Sequence, residues 1–244
     1  MNLKEKIIAK VQKNYSDLNF INGIIIELSK EPKVFQFEIV DFLTKTLKKE
    51  DLRKININLI YLLGELGKIK PLEEKYVKYL LDSFYISDRW IRQEILKSLE
   101  KNIKVVKSHE TFIKVISDAL KEDYEPNNIT ALKVVLQLDK VPPPLFRSFL
   151  TLINKQQHEL QEYITKILSK DFDTGSLIFE LLNQNKNYRI LKPNGVRLVL
   201  QSLISSINEI DAFQTLIKSS DWEDNYKSLF LDEIKIIKNL IKQI

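Results

Sequence analysis

The sequence predicts an all-α chain, a stack of antiparallel helix pairs, and three observations carry that prediction. Apolar residues recur at three- and four-residue spacing along most of the 244 residues. The alternation of a half-buried strand is missing, and the breaks between apolar runs recur with a period. In "INLIYLLGEL", Ile57, Ile60, Leu63 and Leu66 form a wide stripe of the kind that faces a core, with Leu59 and Leu62 beside it. Breaks fall at Glu31-Pro32, Lys49 to Asp51, Gly67 to Pro71, Ser87-Asp88, Ser108 and Tyr124 to Pro126. Further breaks follow at Pro142 to Pro144, Asp171 to Thr174, Lys192 to Asn194 and Ser219 to Asp221. The intervals suit helices of about 12–17 residues joined by tight turns.

Second helices of successive pairs then open near Asp51, Asp88, Glu125, Gln156, Pro193 and Trp222, mostly 37 residues apart. One such pair is too small to bury its own apolar face, so neighbours must stack. About six to seven pairs fit as a single repeat domain over residues 1–244.

Leu59 to Leu99 carry a more specific pattern. Leu63-Gly64-Glu65-Leu66-Gly67 ends one helix, Pro71 introduces the next, and Asp88-Arg89-Trp90-Ile91-Arg92 follows a turn. Gly67 is expected to close its helix with positive φ, and Pro71 to sit in the first turn of the next. Asp88 or Ser87 is expected to cap the helix after the turn. Over these roughly 40 residues the chain resembles a HEAT repeat. The resemblance implies a right-handed α-solenoid in which Asp88 and Arg92 form a structural ladder between adjacent units.

Composition narrows the function. With 44% hydrophobic and 29% charged residues the chain has a globular character, and no apolar run approaches the ~18 residues of a membrane span. "MNLKEKIIAKVQKN" lacks the apolar core of a signal peptide, and the lack of cysteine agrees with a reducing, cytoplasmic setting. The five glycines form no phosphate cradle, and His109 and His158 stand alone. No catalytic residue, metal site or cofactor is therefore expected, and the chain reads as non-enzymatic.

The net charge of +5 is uneven. Residues 1–122 hold 23 basic and 18 acidic side chains, while the remainder is neutral. Within that neutral half, Leu181 to Asn208 lacks any acid yet carries Lys186, Arg189, Lys192 and Arg197. Its stretch "NQNKNYRILKPNGVR" replaces a tight turn with a loop. Lys186, Arg189 and Lys192 there suit phosphates or an acidic partner, with Tyr188 available for stacking.

Both tryptophans stand at helix starts, Trp90 after Asp88-Arg89 and Trp222 after Ser220-Asp221, which suggests a shared packing task. Trp90 is expected to pack toward Phe84 and Tyr85, and Ser220 and Glu223 have capping-box spacing. Arg53, Arg89, Trp90 and Arg197 are the expected partner-binding anchors, being of the types that dominate interface energetics.

The leading expectation is a scaffold that binds a protein or peptide on its second helices or on the turn edge. One alternative is nucleic-acid binding through the phosphate backbone. The chain is similar to the HEAT-like alkylpurine DNA glycosylases in length, charge and repeat type, but lacks their paired tryptophans with an aspartate. Another alternative is a TOG-like tubulin-binding domain, with Tyr15, Lys48-Lys49 and Arg89 at the matching turns. The apolar "DEIKIIKNLIKQI" at Asp232 to Ile244 adds an expectation of self-association.

Overall fold

A computed structural model describes residues 2–155, 157–204 and 206–241. Among them the regular structure is entirely helical, and the contacts divide the chain into two compact units, residues 1–115 and 116–244.

The first unit contains α1 (Leu3–Lys13), α2 (Leu18–Lys30), α3 (Gln36–Thr46), α4 (Lys49–Ile69), α5 (Glu74–Ile86), α6 (Arg89–Lys101) and the single-turn α7 (Ile103–Val106). Helix α8 (Phe112–Leu120) runs across the division. The second unit continues with α9 (Glu125–Leu136), α10 (Pro143–Ile153), α11 (His158–Asp171) and α12 (Gly175–Asn183). A 3-10 helix (Gln184–Ile190), α13 (Pro193–Gln201), α14 (Ile207–Ser219) and α15 (Asp224–Ile241) complete it.

The expected period is a physical one. In the first unit Lys4 pairs with Glu38 and Lys75 with Asp41, each 34 residues apart, which ties α1 to α3 and α3 to α5. The other layer is tied in the same way. Asn58 donates to Asn22 at 2.7 Å across 36 residues, and Ser98 and Asn102 donate to the Ile60 and Gly64 carbonyls across 38. Two bonds of identical offset mean that α4 and α6 run in the same direction, in register. The second unit repeats the arithmetic: Asn154 reaches the Ile190 carbonyl, and Arg197 reaches Glu233, each across 36 residues. This is a repeat-like packing of helix pairs.

Most helix starts fall where expected. Asp51 lies in the first turn of α4, Asp88 caps α6, and Glu125 and Pro193 open α9 and α13. Position 156 lies outside the described residues, and α11 opens at His158. The last three residues of the C-terminal apolar stretch also lie outside them.

Three local expectations are corrected. No glycine among the described residues has positive φ, and α4 continues through Gly67 to Ile69. What requires glycine is close approach. A Cβ on Gly64 would stand 2.5 Å from the Ser98 hydroxyl, and one on Gly67 would collide with the Asn102 side chain. Pro71 lies in the connection, since α5 opens only at Glu74. Finally, Ile57 leaves the buried stripe: Leu59, Ile60, Leu63 and Leu66 are fully buried, whereas Ile57 is 40% exposed. Among the described residues no helix is long and apolar enough to cross a membrane.

Candidate interaction surface

The surface built from α2, α4 and α6 is unusual in what it leaves outside. Arg53, Ile57 and Tyr61 follow one another at four-residue spacing on α4, so they share a face, and all three are exposed. Ile26 on α2 continues that surface, and a cleft of about 340 Å³ joins it to Asn58 and Tyr61. On the α6 side the Lys101 ammonium stands 4.7 Å from the centre of the Tyr61 ring and pairs with Glu65 at 2.8 Å. Burial pushes the Glu65 carboxyl up. Hydrogen bonds from Lys101 and Lys68 outweigh this and hold it below the usual carboxylate range.

The turn between α5 and α6 supplies the edge of this surface. Asp88 caps α6 by accepting from the Trp90 and Ile91 backbone N–H groups at 2.9 and 3.0 Å, which fixes where the helix begins. Trp90 is thereby the second residue of α6, and 55% of it stays exposed with the Arg89 guanidinium 5.2 Å from its ring centre. Tyr85 and Ile86 are exposed beside the same turn. Arg92 donates from Nε to the Phe84 carbonyl at 3.0 Å and lies over the Phe84 ring, so it locks α6 onto the end of α5. These bonds of Asp88 and Arg92 lie within the α5–α6 pair. Tyr15, at the α1–α2 turn, donates its hydroxyl to the Thr46 carbonyl.

The basic stretch of the second unit is arranged differently from expectation. Tyr188 is buried, stacks on Trp222 with ring centres 4.3 Å apart, and donates its hydroxyl to Glu223 at 2.8 Å. It is no free stacking platform. Arg189 pairs with the same Glu223 carboxylate. Arg197 makes a two-pronged pair with buried Glu233, Nε to Oε2 at 2.5 Å and a terminal nitrogen to Oε1 at 3.0 Å, and that carboxylate raises the guanidinium pKa further. Its side chain remains about half exposed, with its guanidinium tied to α15. Lys186 and Lys192 remain exposed, and Asn185 and Lys186 both take left-handed backbone conformations. The capping box expected at Ser220 and Glu223 is absent, because the Glu223 side chain is committed to Tyr188 and Arg189.

Of the four expected anchors, Arg53, Arg89 and Trp90 lie on the first unit, and Arg197 lies on the second, where it pairs with Glu233. Sequence reasoning missed Ile26, Ile57 and Tyr61. Their signal was legible, since Arg53, Ile57 and Tyr61 form a second four-residue series on α4 beside the leucine stripe.

No protein-family model matches the chain, and no curated protein matches it. Among solved structures it is similar to the crystal structure of an engineered protein, a target of the Northeast Structural Genomics Consortium. The TM-score is 0.53 and the identity 13%, over 96% of this chain and 97% of the other. At that identity the likeness is one of fold alone.

Proposed function

We propose that this chain is a non-enzymatic, cytoplasmic scaffold, a HEAT-like α-solenoid of about six to seven helix pairs. In this reading it binds a protein or peptide on the α2–α4–α6 surface of its first unit. The observation that carries the reading is the exposed series Arg53, Ile57 and Tyr61 on α4, together with exposed Trp90 at the start of α6. Arginine and aromatic side chains held on rigid helices are the types that anchor interfaces, and a contiguous exposed apolar patch marks a contact surface. The pairing of Arg189 and Arg197 with Glu223 and Glu233 counts against the nucleic-acid alternative, because it neutralises the cluster that would bind phosphates.

The test is quantitative capture by the full chain. Wild type and a Lys186→Ala/Lys192→Ala control should retain the same partner, and an Ile57→Asp/Tyr61→Ala/Trp90→Ala chain should lose it. Equal capture by all three overturns the proposal. Labelled DNA and RNA, measured in parallel at about 50 and 200 mM salt, would favour the alternative if binding fell steeply with salt.

A further inference from the structure

A cleft of about 440 Å³ lies between the start of α4 and the end of α5. Its floor holds Asn56, only 6% exposed, whose Oδ1 accepts from the Tyr79 hydroxyl at 2.6 Å. Tyr79 is itself largely buried, and this burial pushes its pKa up to about 12 despite a hydrogen bond with Ser83, so its proton stays available to Asn56. That bond orients the amide with Oδ1 toward Tyr79 and Nδ2 turned away. No described residue accepts from Nδ2. The residue is buried as a whole, but this donor is not sealed in, and Asn56 lines an open cleft.

The surrounding charge fits the missing acceptor. Lys49 and Arg53 line the cleft, and neither is ion-paired with a described residue. Asp82 is the one acid lining the cleft. The cleft also lies against the first two turns of α4. Ile86, 68% exposed, provides an apolar wall. Two cations against one carboxylate leave room for a single negative charge beside an apolar group.

We infer that this cleft binds the side-chain carboxylate of an acidic residue in a peptide partner, with Asn56 Nδ2 donating to one oxygen and Arg53 pairing with the other. The neighbouring apolar residue of the peptide covers Ile86. The inference rests on the scaffold reading and names the chemistry that the surface selects.

The experiment is a titration of the full ¹⁵N-labelled chain with N-acetyl-glutamyl-leucine amide, its glutaminyl counterpart and inorganic phosphate, following the Asn56 side-chain amide signals. The acidic dipeptide should shift those signals saturably. The glutaminyl counterpart, and an Arg53→Gln chain with the acidic dipeptide, should each bind about tenfold more weakly, the value of one charge-assisted pair. Arg53 is exposed, so its exchange leaves the fold intact. Unmoved Asn56 signals, equal affinity for acid and amide, or tighter binding of phosphate would each overturn the inference. Because the probes need no native partner, a negative titration removes the carboxylate cleft alone. Undiminished capture by the Ile57, Tyr61 and Trp90 variant removes the scaffold reading alone.

Discussion

Trp90 and Trp222 stand in similar sequence, each close behind a Ser-Asp pair at the start of a second helix, and their fates are opposite. Trp222 is 2% exposed and lies in an aromatic cluster. It stacks on Phe179 and Tyr188, meets Phe230 edge-on at 5.1 Å, and donates from Nε1 to Asn183 at 3.0 Å. Trp90 stays more than half exposed under the Arg89 guanidinium. Three residues of register relative to the helix start separate these outcomes. Trp90 is inside α6, where the helix dictates its side-chain direction, whereas Trp222 precedes α15 in non-helical chain, and its ring is folded inward. The same local motif therefore yields a core residue in one unit and an exposed residue in the other. What decides between them is where the helix begins.

The comparison is broken most directly by deleting the rings. Trp222→Ala should cost about 3–5 kcal/mol in denaturant unfolding, and Trp90→Ala about 0.5 kcal/mol or less. Equal losses would mean that the two rings are not differently packed. Acrylamide quenching gives an independent reading: Trp90→Phe should remove the quenchable emission and leave the shielded part.

Glycines sharpen the same contrast between filled and open positions. Gly67→Ala should destabilise by about 1–3 kcal/mol, because the Asn102 side chain it would strike is held by bonds to the Gly64 and Ser98 carbonyls. Gly23→Ala meets nothing within 4 Å and should stabilise by about 1 kcal/mol through helix propensity. Thermal melts that moved both ways alike would contradict the packing.

The charges can be compared in the same way. Arg197→Ala leaves Glu233 buried without its cation and should lower the melting temperature, while Arg53→Ala should leave it unchanged. The smallest effect is one of pH. Burial raises the Asp41 carboxyl, but hydrogen bonds from Lys75 and Tyr76 outweigh it and hold the folded pKa below its ordinary 3.8. A depressed carboxylate contributes stability that is present above the unfolded value and lost as pH falls through the folded one. Asp41→Asn should therefore weaken the chain at neutral pH and flatten the acid side of its stability curve below about pH 4, in urea titrations at several pH values.

Much of this architecture was legible beforehand because it depends on short-range chemistry. Asp88 caps whatever helix follows it, Pro193 opens α13, and the leucine stripe of α4 is buried as its spacing requires. The candidate surface was legible in part. Arg53, Arg89 and Trp90 were visible as residue types, while Asn56 read as one more polar residue until Tyr79, 23 residues on, took its oxygen. The pairings of Tyr188, Arg189 and Arg197 were not legible because their partners Glu223 and Glu233 lie 34–36 residues away. In sequence those acids form a separate acidic segment, and stacking places them on the basic one.

By itself, then, the sequence determined that this protein is a succession of helix pairs with a period near 37 residues, since apolar spacing and turn chemistry act within a few residues. Only the tertiary structure decided which rings and charges face outward. Burial and pairing are settled by side chains one repeat away, so Trp222 turned inward and Arg197 paired with Glu233, while Trp90 and Arg53 stayed exposed.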